Sequence, residues 1–466
     1  MGKYSILTKI CALICALSIC IVTGCGTSSG QHSSSPADES VITSESDDTS
    51  ESDDTSESDD TSESDDSSDE NNLTILAPVG EVFPYVDATK AYLEAGVGAD
   101  VVRYAERMDN AYAPVQIKWR FNAAGARKFL VEYATKADYS DAISAEVGAT
   151  KRSFDVYNLY RATTYHFRIT AFNSKGEAIE TQESEFYTTD IGPRVMNIEG
   201  ICNVRDLGGF MTSFGKRLVQ GVAYRGGALL DNNSVLANGD WLKITENGKK
   251  YMSEVMGIKG ELDFRTEAES GIKLEDGSLI PGATLTYIAI GGYDDIFQGN
   301  AGSGQKEMYR RTFSYLSNKD NYPLYYHCTG GADRTGTVSY ILHAFLGVSE
   351  FECGQDYEFT SFSIYGVRGG SSPKPENARY KEMKRLLNEY EGANLQEKTE
   401  NYLLSIGVTK TELDNIKAIF FGEVDIDGKA FTPENETYPI PDVEEKTLSQ
   451  QFSEVLAAWA IQKKVN

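Results

Sequence analysis

The segment His327-Cys328-Thr329-Gly330-Gly331-Ala332-Asp333-Arg334-Thr335-Gly336 combines a thiol, two adjacent glycines, a carboxylate and a guanidinium. Such a loop can turn consecutive backbone N–H groups toward one point and form an anion nest. A helix beginning near Thr335 adds the positive end of its dipole. Arg334 offers a planar fork that matches two oxygens of a phosphoryl group. The same positive field acts on Cys328. Helix N-termini and neighbouring cations lower a thiol's pKa from about 8.5 by several units. A thiolate beneath a bound phosphate attacks in line and forms a phosphocysteine, which water then hydrolyses. Thr329, Gly330, Gly331, Ala332, Thr335 and Gly336 complete the candidate phosphate cradle. Thr335 is a candidate hydrogen-bond donor to the leaving sulfur, and His327 a candidate brace for the loop through backbone contacts.

Such a loop needs a strand leading in and a helix leading out. Pro323 to His327 is short and nearly apolar, and Val338, Ile341, Leu342 and Phe345 recur at helical spacing, predicting an amphipathic helix. Leu218–Tyr224, Gly260–Phe264 and Thr284–Ile290 read as strands, and Lys306–Ser317 as a helix. This alternation over 193–421 predicts an α/β fold, a parallel-rich sheet flanked by helices. Upstream, over 73–190, the pattern is all-β: Val115–Trp119 alternates with period two, Phe129–Tyr133 is a second strand, and Tyr165–Ala171 a third, ended by the turn Asn173-Ser174-Lys175-Gly176. Short strands with turn signals between them predict a β-sandwich. Residues 422–466 form a C-terminal extension with an amphipathic piece, Leu448–Lys463, for which packing against a neighbouring domain is expected.

The formal net charge of the 466-residue chain is −26, and residues 31–70 hold 16 Asp or Glu with no Lys or Arg. An acidic chain is a poor partner for nucleic acid, whose backbone demands Lys and Arg. Thr43-Ser44-Glu45-Ser46-Asp47-Asp48 recurs at 49–54, 55–60 and 61–66. Without apolar side chains it cannot offset chain entropy, so 26–72 is expected to be a disordered, extended linker. Of seven cysteines, four lie in the first 25 residues. Cys202 and Cys353 read as small core residues. Residues 1–25 carry Lys3 and Lys9, then an apolar run Ile10–Val22, too short for a comfortable membrane span. The ending Val22-Thr23-Gly24-Cys25 resembles a bacterial lipoprotein lipobox, which implies lipidation at Cys25 and an extracytoplasmic protein anchored to the bacterial cell membrane.

The loop resembles the signature of cysteine-dependent protein-tyrosine and dual-specificity phosphatases. It is closest to the bacterial group whose loop reads His-Cys-x-x-Gly-x-Asp-Arg-Thr-Gly. Asn203-Val204-Arg205-Asp206-Leu207-Gly208-Gly209 resembles the motif opening that family's domain, and Tyr224-Arg225-Gly226-Gly227-Ala228-Leu229 its next block, with Gly226 at a usual Ser. Leu262-Asp263-Phe264-Arg265-Thr266-Glu267-Ala268-Glu269 resembles the Asp-Leu-Arg-x-x-x-Glu block. The resemblance implies hydrolysis of phosphate monoesters without metal or other cofactor, Cys328 as nucleophile and Arg334 as phosphate ligand. Many members carry Lys where Ala332 stands, so the extra charge suited to phosphoinositides is missing and protein phosphotyrosine is the expected substrate. The stretch Leu159–Tyr165 resembles a fibronectin type III domain, which implies that Tyr165 is structural.

The leaving oxygen needs a proton from a carboxylic acid. Asp333, first by the resemblance, Asp263 at a strand end, and the pair Asp294 and Asp295 in the Gly-rich stretch 291–304 are the candidates. Arg205 and Asp206 are expected to clamp the start of the domain. Two other functions fit the pattern: an inositol phosphate or phosphoinositide phosphatase, and a non-catalytic surface module that binds phosphate in an adhesion architecture. The expected partners are a phosphorylated protein or small phosphate monoester, and a membrane through the lipid anchor.

Overall fold

The structure, a computed structural model, describes residues 72–105, 111–230, 243–368 and 374–433. Cys25, the acidic repeats and Leu448–Lys463 lie outside the described residues.

The first region carries eight strands: β1 (Leu73–Ala77), β2 (Gly80–Val82), β3 (Val115–Phe121), β4 (Lys128–Ala134), β5 (Ile143–Gly148), β6 (Ser153–Val156), β7 (Thr164–Phe172) and β8 (Ala178–Thr188). They form a sheet ordered β1-β3-β6 and a second ordered β2-β8-β7-β4-β5. In β3, Val115, Ile117, Trp119 and Phe121 are buried while the residues between them are exposed, the period-two signature of a sheet with one wet face. Their side chains meet those of Phe129, Val131, Phe167 and Ile169 in one core, and Trp119 and Phe121 pack on Phe129 with ring centroids 5.4 and 5.5 Å apart. The Tyr160 amide donates to the Tyr165 hydroxyl at 2.8 Å, tying β7 to the loop before it.

One excursion departs from the all-β reading. Between β2 and β3 the chain forms the helix Asp87–Ala95. Tyr85, Tyr92, Leu93, Val101, Ala105 and Ala111 join a core with Phe359 and Phe362 of the second region. The Tyr92 hydroxyl donates to Glu358 Oε2 at 2.7 Å. Single buried positions such as Tyr85 carry no periodicity, so the sequence pattern did not separate them from the sandwich.

The second region is built on a five-stranded sheet ordered β12-β11-β13-β10-β9, from β9 (Arg205–Asp206), β10 (Ala223–Gly226), β11 (Gly260–Asp263), β12 (Thr284–Tyr287) and β13 (Leu324–His327). Neighbours among β12, β11, β13 and β10 pair in parallel, and β9 is antiparallel to β10. Leu324 and Tyr326 of β13 enter the core on one face, while Tyr325 faces a smaller core with Tyr224, Met252, Met256 and Ile258 on the other. Both faces are covered, which is why β13 reads as an apolar run.

The helix Arg334–Phe345 is buried along its length from Thr335 to Phe345, so it lacks the polar, wet face of the amphipathic helix expected. It packs against β13 and the helices Glu350–Phe359 and Leu395–Ser405. The regular strand expected over Leu218–Tyr224 is limited to Ala223–Gly226. Before it, Val219 bonds instead to Phe420, the last residue of the helix Lys410–Phe420, and Gln220 to Phe431 beyond that helix. Phe431, in the described part of the C-terminal extension, stacks on Tyr160 at 3.9 Å and so joins the two regions.

Candidate active site

Cys328 follows the last residue of β13 and is 4% exposed. The loop after it has its carbonyls drawn outward one by one. Ala228 N–H donates to Thr329 O at 2.9 Å, and the Tyr365 hydroxyl to the same oxygen at 3.3 Å. Asn203 Nδ2 donates to Gly330 O at 3.0 Å, and Arg225 Nη2 to Gly331 O at 2.6 Å. Peptide units are planar, so a carbonyl held outward turns the following N–H the other way. The amides of Thr329 to Asp333 donate to no other group among the described residues. Gly331 has φ +65°, and a Cβ there would lie 2.3 Å from Gly226 O, so only glycine lets the loop pass this close to β10.

A buried ion triad stands behind that loop. Asp356, on the helix Glu350–Phe359, accepts from Arg205 Nε at 2.8 Å and Arg225 Nη1 at 2.5 Å. Burial opposes its charge, but the two guanidiniums outweigh burial and hold its carboxyl well below the usual range. The expected clamp between Arg205 and Asp206 is therefore two clamps. Adjacent strand residues point to opposite faces, and Asp206 pairs with Arg194 at 2.8 Å while accepting from the amides of Gly208 and Gly221.

His327 braces the loop's first residue. One ring nitrogen, Nδ1, is 3.1 Å from Cys328 O, and Nε2 is 2.9 Å from Glu261 Oε1. Burial disfavours the charged ring, but Asp263 and Glu261 outweigh it and raise its pKa. Thr335 Oγ1 is buried and has no hydrogen-bond partner among the described residues. Ala332 is buried, and Gly336 packs within 3.5 Å of Arg225 Nη2, measured from where a Cβ would stand.

Arg334, the first residue of its helix, is gripped by Glu269. Its Nη1 donates to Glu269 Oε2 at 2.9 Å and to Phe264 O at 3.1 Å, and its Nη2 to Glu269 Oε1. The hydrogen bond from Arg334 lowers the Glu269 carboxyl's pKa.

The candidate acids fall in three settings. Asp333 lies at the mouth, 40% exposed in its side chain, and its Oδ1 accepts from the Tyr293 hydroxyl and from Arg368 Nη1. Asp263 is 1% exposed and spans both its oxygens across Arg265, with Nη2 at 2.7 Å. Asp294 and Asp295 sit on the 3₁₀ turn Tyr293–Phe297, which lies against the first turn of the helix Arg334–Phe345 through Tyr293 N–H to Thr337 Oγ1 at 2.8 Å. Both pair with Arg379, at 2.6 and 2.7 Å.

The structure brings Cys328, the loop, Arg334 and Asp333 together at the carboxyl end of β13. Asp263 stands behind them, and Asp294 and Asp295 to one side. Glu269, Asn203 and Arg225 lie inside the motif blocks read from sequence but had no role assigned there. Asp356, Tyr293, Tyr365 and Arg368 come from segments without a motif, and no sequence signal marks them. Cys202 and Cys353 are buried and free, as core residues, and burial pushes the Cys202 thiol up to about 12. Among the described residues no group of three or more His, Cys, Asp or Glu is placed to hold a metal ion.

Residues 196–422 match the model of the tyrosine phosphatase family, which supports a cysteine phosphatase. Among solved structures, the core catalytic domain of the PP-IP phosphatase Siw14 from S. cerevisiae, in complex with citrate, is 15% identical, with 42% of this chain and 94% of that chain covered, at a TM-score of 0.24. A second structure of the Siw14 catalytic core is 14% identical over 42% of this chain and 95% of that one, at 0.23. The FN1–FN3 domains of chicken CNTN1 are 20% identical over 18% of this chain and 30% of theirs, at 0.14. No curated protein matches the sequence.

Proposed function

We propose that the protein hydrolyses phosphate monoesters, foremost protein phosphotyrosine, through a phosphocysteine intermediate. The observation that carries this reading is the loop itself: carbonyls tied outward by Ala228, Asn203 and Arg225, with Cys328 at its base and Arg334 at its rim. In this reading Cys328 Sγ attacks phosphorus while the bond to the leaving oxygen breaks. The loop amides and Arg334 take the charge that builds on the equatorial oxygens. Asp333 gives its proton to the leaving oxygen, and water then cleaves the S–P bond, with Thr335 donating to the departing sulfur. Asp333 is favoured as the acid because it stands in the loop itself and faces the mouth, whereas Asp263 is buried in two-pronged pairing with Arg265, and Asp294 and Asp295 lie on the neighbouring 3₁₀ turn.

We read residues 73–190 as a fibronectin type III-like domain, supported by the amide of Tyr160 on the hydroxyl of Tyr165. The lipid anchor at Cys25 and the extracytoplasmic location belong to the same proposal and rest on the lipobox resemblance. Release of phosphate from phosphotyrosine peptides, phosphoserine peptides and phosphoinositides by the reduced protein tests the function. Fastest release from phosphotyrosine, lost in Cys328→Ser, is expected. Faster release from phosphoinositides would overturn the substrate, and equal rates in Cys328→Ser would overturn the mechanism.

A further inference from the structure

The expected lysine beside Asp333 is absent, since Ala332 takes its place, yet a cation does reach Asp333 from elsewhere in the chain. Arg368 sits on a turn fixed over the loop. Its backbone is clipped at both ends by one hydroxyl: Arg368 N–H donates to Ser361 Oγ, and Ser361 Oγ donates to Arg368 O, each at 2.8 Å. On the same turn Tyr365 covers Gly330, whose Cβ would stand 3.1 Å from its ring, and its hydroxyl reaches Thr329 O. The Arg368 side chain is 11% exposed. Only its Nη1 has partners among the described residues, Asp333 Oδ1 and, at 3.5 Å, the Tyr293 hydroxyl; its Nε is buried without one.

The other two guanidiniums at the site differ. Arg334 spends Nη1 and Nη2 on Glu269, and Arg265 spends Nε and Nη2 on Asp263. Among the described residues Arg368 Nη2 has no partner, and Arg368 sits at the mouth beside Asp333. A guanidinium has five N–H donors in a fixed fork, so it can hold Asp333 through Nη1 and a second anion through Nη2.

We propose that Arg368 is a specificity-determining residue that binds a second anionic group, carboxylate or phosphate, carried by the substrate next to the phosphate that is hydrolysed. This deepens the phosphatase reading and rests on it for the position of the scissile phosphate. The preferred substrate class is then a monoester with a second acidic group within reach, and Arg368 supplies the charge that Ala332 does not. A lone monoester uses the loop and Arg334 only.

The test compares matched substrates on the full chain. One pair is a phosphotyrosine peptide with Asp or Asn beside the phosphotyrosine. The other is propanediol monophosphate against its bisphosphate. Wild-type protein should prefer the member with the second anion in KM, and Arg368→Met should shrink that preference about tenfold, with Arg368→Lys restoring part of it. Loss of preference in the peptide pair alone identifies a carboxylate as the second group, and in the diol pair alone a phosphate. An unchanged preference in Arg368→Met overturns the proposal, as does an equal rise in KM for both members of each pair, which is what a merely structural role predicts. Calorimetric binding of the same pairs to Cys328→Ser, with and without Arg368→Met, gives a readout independent of turnover. A preference that persists there, beside a reduced wild type that releases no phosphate, would sink the catalytic reading and leave the subsite standing. Its absence would sink the subsite.

Discussion

Glu269 holds Arg334 by both of its carboxylate oxygens, from the short helix Glu267–Ser270 whose first turn is capped by the Thr266 hydroxyl on the Glu269 amide at 3.1 Å. The arginine proposed to meet the phosphate is thus aimed by a carboxylate from the short helix that follows β11. Glu269→Gln removes the charge and half of the pairing. It should lower kcat/KM about tenfold or more, equivalent to about 1.4 kcal/mol of transition-state stabilisation. Steady-state kinetics with p-nitrophenyl phosphate checks it, and an unchanged kcat/KM would show that Arg334 is aimed by other contacts.

Asp356 is the shared counter-charge of two buried arginines that in turn hold the loop. Asp356→Asn leaves two guanidiniums in the interior without a counter-charge. Breaking a buried pair in this way costs about 3–5 kcal/mol. Denaturant unfolding should show a loss in that range, with activity falling because Arg225 loses its alignment on Gly331 O. A loss below about 1 kcal/mol would mean that the neighbouring residues re-solvate the arginines.

Gly331→Ala places a methyl group against the Gly226 carbonyl and strains a left-handed residue. The loop must open. Loss of one charge-assisted amide contact weakens binding by about 1.5–3 kcal/mol, so orthovanadate affinity should fall roughly tenfold to a hundredfold. Titration of the inhibitor against p-nitrophenyl phosphate turnover measures this, and wild-type affinity would show that the backbone absorbs the methyl group without moving the amides.

His327 links the site to pH through stability. Its folded pKa is raised above the ordinary 6.5, because Asp263 and Glu261 overcome the effect of burial. A raised histidine contributes stability that is present in full below about 6.5 and is lost as pH rises through the higher folded value. The difference in Tm between the wild type and His327→Gln should therefore be largest near pH 6 and shrink toward pH 9. A difference that grows with pH would mean that the ring is neutral in the folded state.

What the sequence reveals about this site depends on how local each relationship is. Cys328, the glycines and Arg334 lie within one turn of chain, and their chemistry follows from residue type and spacing. The strands β3, β4, β7, β11 and β13 announce themselves by alternation or by an apolar run. Asp356 meets Arg205 across 151 positions and Arg368 meets Asp333 across 35, through folding alone. The same holds for the helix Arg334–Phe345: its pattern shows one apolar face, but only the packed structure shows that Ser339, Thr337 and His343 are covered as well. Arg205 and Asp206 illustrate a further limit. Two opposite charges side by side suggest a mutual pair, while strand geometry sends them to opposite faces.

The aromatic excursion between β2 and β3 carries a consequence for how the molecule is divided. Tyr85 rests on Phe359 and Tyr92 on Phe362, at 5.9 and 5.4 Å, and these two phenylalanines root the turn that ends in Tyr365 and Arg368. The front of the chain is therefore masonry for the rim of the candidate site rather than a passenger beside it. Cutting the protein at the boundary suggested by its sequence would strip the footing from that rim, and Arg368 would be displaced before Cys328 itself was disturbed.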